Sequence, residues 1–115
     1  MNLIRLARHQ HPNPPHHELR QKRVLDLDVR LIGQIENLYV DDDGQLQFAD
    51  VLTSGFLGLR AKHHLVPDEV IAEEGAGSIM LVADQQEVES TPSYATPHLG
   101  PDEELQETTR DHYGY

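Results

Sequence analysis

Residues 39–50 read YVDDDGQLQFAD, twelve residues crowded with carboxylates and carrying a glycine at the sixth position. A calcium-binding EF-hand loop places oxygen ligands at positions one, three, five and twelve and a glycine at six. Those positions are here Tyr39, Asp41, Asp43, Asp50 and Gly44, so the first ligand is a tyrosine. An EF-hand also needs a helix on either side, whereas the flanking LYV and LQF are strand-like and Asp-Gly is a strong hairpin signal. Aspartate tolerates left-handed backbone and glycine adopts positive φ freely. The stretch therefore predicts two antiparallel strands joined by a tight turn, with no metal required.

Working outward, the alternation of apolar residues extends this hairpin. On the N-terminal side apolar residues occupy odd positions through Val29, Leu31 and Ile35, then even positions at Leu38 and Val40. A phase change within one strand is the signature of a β-bulge, placed here near Glu36–Asn37. The next strand, LQFADVL, sets Leu46, Phe48 and Leu52 on one face with Asp50 among them. In LRAKHHLVP, Leu59, Ala61, His63 and Leu65 alternate with Arg60, Lys62 and His64, which puts His63 inward and on the face of Asp50. SIMLVA, apolar on both faces, is expected to be the most buried strand. Short runs broken by DDDG, TSG, PDE and EGAGS predict an all-β barrel or sandwich over 24–94.

The flanks differ in composition. Residues 1–23 hold Pro12, Pro14, Pro15 and four of the eight histidines, and carry Arg5, Arg8, Arg20, Lys22 and Arg23 against Glu18, a net charge of +4. They read as an irregular basic arm. Residues 31–115 carry seventeen acids against three bases, within a chain whose net charge is −11. So acidic a body repels phosphate backbones, so nucleic acid is not an expected partner. The arm is expected to lie on the acidic body instead. Residues 95–115 form an acidic tail, in which Pro101 and Asp102–Glu104 suit the start of a short helix over 101–110 with Leu105 to bury. With no cysteine there are no disulfides or thiolate sites, and no stretch approaches the ~20 apolar residues of a membrane span. A cytoplasmic protein is expected.

The order GQIENLYVDDDGQLQFADVLTSGFLGLRAKHHLVPDEVI, followed by a short strand and TPSY, resembles the PRC-barrel domain. The matching pieces are Gly33 and Ile35, VDDDG, GFLG at 55–58, LVP at 65–67 with Val70, and Pro92 with Tyr94, whereas Asp68 stands where the family often has an aromatic or apolar residue. The resemblance implies a small, strongly bent antiparallel β-barrel of about six strands. It also implies a module that binds other proteins or supports assembly rather than catalysing a reaction.

The residues themselves agree with that implication. The chain has no glycine-rich phosphate loop, no Gly-x-Ser-x-Gly elbow and no His-Glu-x-x-His, and no cofactor is expected. Asp50 and His63 on neighbouring strands could pair, most simply to satisfy each other at a barrel rim. Phe56 and Leu57, in a glycine-flanked loop, either plug a barrel end or face a partner, and Tyr39 and Tyr94 are amphipathic residues suited to interfaces. The expected function is thus a non-enzymatic interaction or assembly module, self-associating as a homodimer or binding another protein. The alternative is a metal-responsive protein using His9, His11, His16 and His17, since a His-x-His pair can chelate a divalent ion.

Overall fold

The computed structural model describes residues 1–14, 16, 18–53, 61–92 and 100–115. Phe56, Leu57, Tyr94 and His17 lie outside the described residues. The fold is one curled, half-closed barrel. Its strands are β1 (Ile4–Arg5), β2 (Arg23–Leu25), β3 (Leu31–Val40), β4 (Leu46–Thr53), β5 (Lys62–Pro67), β6 (Ile71–Glu74) and β7 (Ser78–Leu81). The order across the sheet is β5-β4-β3-β2-β7-β6. The long strand β3 is shared on one edge, where β2 pairs with its first half and β1 with its second, Ile4 opposite Val40. All pairings are antiparallel except β2 with β7, which is parallel. A wholly antiparallel barrel is thus corrected in that one pair: β2 and β7 are far apart in sequence, so no hairpin constrains their direction.

Three irregularities along β3 and its partners help to coil the sheet. Between β3 and β4 the register steps from Ile35 opposite Val51 to Asn37 opposite Asp50, leaving Glu36 as the extra residue where the phase of the sequence changes. A second step, Tyr39 opposite Phe48 and then Val40 opposite Leu46, leaves Gln47 unpaired. The third lies between β2 and β3, where Val24 faces Gly33 but Leu25 faces Leu31, so Ile32 is the extra residue. Bulges increase local twist and bend the strand. Gly33 marks the tightest approach: a Cβ there would lie 2.2 Å from the Leu52 carbonyl oxygen, so only glycine lets β4 cross so close.

The hairpin at 41–45 closes as its sequence predicts. Gly44 has φ 83°, and its N–H donates to the Asp41 carbonyl at 3.0 Å. Asp41 Oδ1 accepts from the N–H groups of Asp43 and Gln45, both at 2.9 Å. Its Oδ2 accepts from Gln47 Nε2 at 3.1 Å, so the carboxylate is fully engaged in shaping the turn.

Inside the curl, Val24, Ile35, Leu38, Val51, Val66 and Leu81 form the main core, which Leu19 from the arm and Val88 complete. Val88 belongs to the short helix α1 (Gln85–Glu89). A second apolar cluster, Tyr39, Phe48 and Leu65, lies on the outer face of β3, β4 and β5 and is covered by Leu3 of the arm and Leu105 of helix α2 (Glu103–Tyr113). Helix α2 starts and ends a few residues later than the 101–110 expected for it. It is capped by Asp102, which accepts from Leu105 N–H at 2.8 Å, and by Gly114 at φ 84°. It buries Gln106 and Thr109, which a search for apolar residues alone passes over. Gln106 Nε2 donates to the carbonyls of Met1 (2.9 Å) and Pro101 (3.1 Å), and Arg110 stacks over the Phe48 ring at 5.0 Å, so arm and tail meet on this face.

Candidate functional site

The loop between β2 and β3, Asp26-Leu27-Asp28-Val29-Arg30, is built around one fully buried carboxylate. Asp26 Oδ1 accepts from the N–H groups of Asp28 (2.9 Å) and Arg30 (2.8 Å), and Oδ2 accepts from the N–H of Gln85, the first residue of α1, at 3.0 Å. The Leu27 N–H donates to the Ala83 carbonyl at 2.9 Å, which seats the loop beside Val82. Val29 is held at φ 64°, a left-handed conformation that a β-branched residue strongly resists.

This tied loop displays apolar side chains to solvent. Leu27 is 56% exposed, Val29 62%, Leu31 56% and Val82 48%. The sheet continues the patch: Leu31 pairs with Leu25 and Leu25 with Met80, a row across three strands whose last two members are half-buried. The inward phase expected for Val29 and Leu31 is therefore reversed. The bulge at Ile32 shifts the strand by one residue, so Ile32 turns into the core and the odd-numbered residues before it turn out. SIMLVA is likewise not buried on both faces. Ile79 and Leu81 enter the core, while Met80 is half-buried and Val82 points outward.

On β4 and β5 the expected Asp50–His63 pair is present. His63 Nδ1 lies 2.9 and 2.8 Å from the two carboxylate oxygens of Asp50, and Asn37 Nδ2 donates to Asp50 Oδ2 at 2.8 Å. Burial pushes the Asp50 carboxyl above the usual aspartate range, against the pull of Asn37 and His63. An Asp–His pair is half of a general-base arrangement, but this one joins three adjacent strands through their side chains. His64, not His63, enters the interior beside α1, within 3.0 Å of Thr91 Oγ1, and burial lowers its pKa. Alternation placed the two histidines on opposite faces correctly, but the inward one is His64; His63, expected inward, is half-buried on the outer face with Asp50.

The described arm histidines, His9, His11 and His16, do not converge. His9 is exposed, His11 Nδ1 lies 3.2 Å from Glu18, and His16 sits between Glu74 (3.1 Å) and Asp68 (3.5 Å). Among the described residues no three histidine or carboxylate side chains are placed to hold a metal ion. An open cleft of about 800 Å3 between the arm and β3 is lined by Arg5, Arg8, Arg20, Glu18, Glu36 and Asn37. Its central cation is consumed internally, because Arg20 binds Glu18 and the backbone carbonyls of Leu6, Ala7, Arg8 and Gln10. Tyr39 is fully buried in the second cluster, so its ring packs within this chain instead of lying on a surface.

The residues that sequence reasoning missed are Leu25, Leu27, Val29, Leu31, Met80 and Val82. For the first four the signal was the alternating VLDLDVRL itself, read on the wrong face; Met80 and Val82 lie in SIMLVA, read as buried on both faces. No curated protein matches the chain. A family model, the PRC-barrel domain, matches residues 15–89, beginning within the arm and ending at the close of α1. With well over half of its length matched and with a curled, barrel-like sheet, the chain belongs to the PRC-barrel family.

Proposed function

We propose that the chain is a non-enzymatic protein-interaction module whose contact surface is the outward face of β2, β7 and the 26–30 loop. The observation that carries this reading is the patch of Leu25, Leu27, Val29, Leu31, Met80 and Val82 on a loop pinned by Asp26. A contiguous exposed apolar patch on a folded domain marks a binding surface, whereas scattered apolar residues do not. The contrast within the molecule supports it. The other outer apolar cluster, around Tyr39 and Phe48, is covered by the arm and α2, and this one is left open. Rigidity adds to the argument: a preformed loop loses little conformational freedom when a partner docks. The Asp50–His63 pair, tied to Asn37, fits a role in fastening strands better than one in chemistry.

The test is site-specific crosslinking in the cell of origin. A photo-reactive residue at position 82 is expected to yield protein adducts, and one at exposed Glu107 on α2 is expected to yield none above background. Absence of adducts at 82, with the protein folded and abundant, would remove the interaction reading.

A further inference from the structure

We infer that the occupant of this face is a second copy of the same chain, docked about a two-fold axis near Val29; the inference rests on the interaction reading above. Charge argues for it. The chain carries −11, yet the rim of the patch is mixed in sign: Arg23, Asp28 and Arg30 are exposed on the loop side, and Glu73, opposite Met80, and Glu74 lie along β6. A basic partner would be drawn to the acidic remainder of the surface. Two acidic copies, in contrast, meet with less repulsion across a face of mixed charge, where the basic groups of one can stand against the acids of the other.

The loop is also self-complementary. Asp28 and Arg30 flank Val29, and an isologous contact brings residue i of one copy to residue j of the other and the reverse. A two-fold axis at Val29 therefore lets each Arg30 meet the other copy's Asp28 while Leu27, Leu31 and Val82 close around the centre. Edge-to-edge growth is the less favourable mode. Among the described residues β6 ends the sheet order and carries Glu73 and Glu74 in sequence, so pairing two copies there would gather four glutamates in one short ladder.

The backbone supplies an independent reason. Glycine or asparagine is the ordinary residue at positive φ, and a strained non-glycine residue persists where its side chain is needed. Val29 holds the most exposed of the patch side chains in that conformation. The patch is small beside the ~20–30 residues a side of a standard interface, so the dimer is weak and concentration-dependent.

Sedimentation equilibrium of the full chain over a wide concentration range tests this. The expected result is a monomer–dimer equilibrium that tightens as salt is raised, because screening removes the repulsion between two −11 chains and leaves the apolar contact intact. Leu31→Asp and Val82→Asp should each weaken association by about tenfold or more. Asp28→Arg and Arg30→Asp should each weaken it, and the two reversals combined in one chain should restore it. A chain that stays monomeric throughout, or a dimer indifferent to Leu31→Asp and Val82→Asp, overturns the inference. Crosslinks from position 82 to a different protein, with a monomeric chain in the centrifuge, would keep the interaction reading and reject the second copy.

Discussion

In the loop at 26–30 and in the hairpin at 41–45, an aspartate side chain accepts from the N–H groups two and four residues further on. In both, the N–H three residues on donates to that aspartate's carbonyl at 3.0 Å, and the aspartate N–H donates back to the carbonyl four residues on, at 2.9 and 3.0 Å. The fourth residue of each has positive φ: Val29 at 64° and Gly44 at 83°. One turn geometry has thus been built twice. The hairpin uses the residue that the geometry asks for and surrounds it with aspartates, and Asn13 of the arm closes over it, donating from Nδ2 to the Asp43 carbonyl at 2.6 Å. The β2–β3 loop uses a residue the geometry resists, surrounds it with leucines, and leaves them open. The first is a turn for connecting strands; the second spends stability to hold out a side chain.

The aspartates that shape the two turns differ in depth, and this gives the largest expected effect. Asp26 is fully buried and holds three N–H groups from two separate segments, whereas Asp41 is half-buried and serves its own turn and the side chain of nearby Gln47. Removing a buried charged acceptor leaves its donors unsatisfied, so Asp26→Ala should cost roughly 3 kcal/mol or more and Asp41→Ala about 1 kcal/mol. Denaturant unfolding measures both. Equal costs would mean that Asp26 does not anchor the loop to α1.

Exchanging the fourth residues should give effects of opposite sign. A left-handed conformation costs a non-glycine residue roughly 1–2 kcal/mol, so Gly44→Val should destabilise by about that much, with its Cβ also 3.0 Å from Asn13 Oδ1. Val29→Gly removes the same strain, less the ~0.5–1 kcal/mol that glycine loses in folding entropy, and should leave the fold equally stable or slightly more so. Thermal melts of the pair decide it. A Val29→Gly variant that melts several degrees lower would show that the valine contributes to the fold, and the contrast between the turns would dissolve.

A third aspartate, Asp68 in the turn after β5, has no backbone N–H donor to its carboxylate among the described residues. Burial and the adjacent Glu69 push Asp68 up to about 6, and the His16 contact only partly offsets them. Between the two neighbours Asp68 takes the proton, because bonds from Asp68 and Arg110 hold Glu69 below its usual range in spite of burial. A raised folded-state pKa means that the native state binds the proton more tightly than the unfolded chain. The contribution of Asp68 is therefore favourable at low pH and is lost as pH rises from about 4 to about 6. Asp68→Asn should match the parent near pH 4 and exceed it at pH 7, by under about 1 kcal/mol because the carboxylate is screened by solvent. Urea unfolding at the two pH values checks this; a variant less stable at pH 7 would make the His16 contact the dominant effect.

Much of this was legible in the sequence, and for local reasons. The DDDG turn, the bulge at Glu36, the Asp50–His63 pair and a helix in the tail all follow from turn chemistry, alternation or capping within a few residues of chain. What escaped depends on residues distant in sequence. The bulge at Ile32 is defined by its partner β2, so VLDLDVRL alternates cleanly and gives no sign of which face is inward. The parallel β2–β7 pair has no turn to announce it. Burial of Tyr39 depends on a helix some sixty residues later, whose buried face includes Gln106 and Thr109 and so carries little apolar pattern.

The smallest expected effect concerns calcium, and it separates acidic composition from a site. Both turns carry aspartates, and the hairpin carries three in a row, yet a calcium ion needs six to eight oxygens that converge and are free to coordinate. Both Asp41 oxygens already accept hydrogen bonds, and Asp26 has its two oxygens turned onto backbone N–H groups in the interior. Asp42 and Asp43 are exposed on the outside of the hairpin. A ligand that bound only the native state would raise the melting temperature in proportion to the logarithm of its concentration above Kd. Millimolar calcium should therefore leave the melting temperature of the parent chain unchanged, and Asp42→Asn and Asp43→Asn should respond to calcium as the parent does. A rise of several degrees that Asp43→Asn abolishes would show that the hairpin rearranges around an ion, and the two loops would then differ in having two functions instead of one.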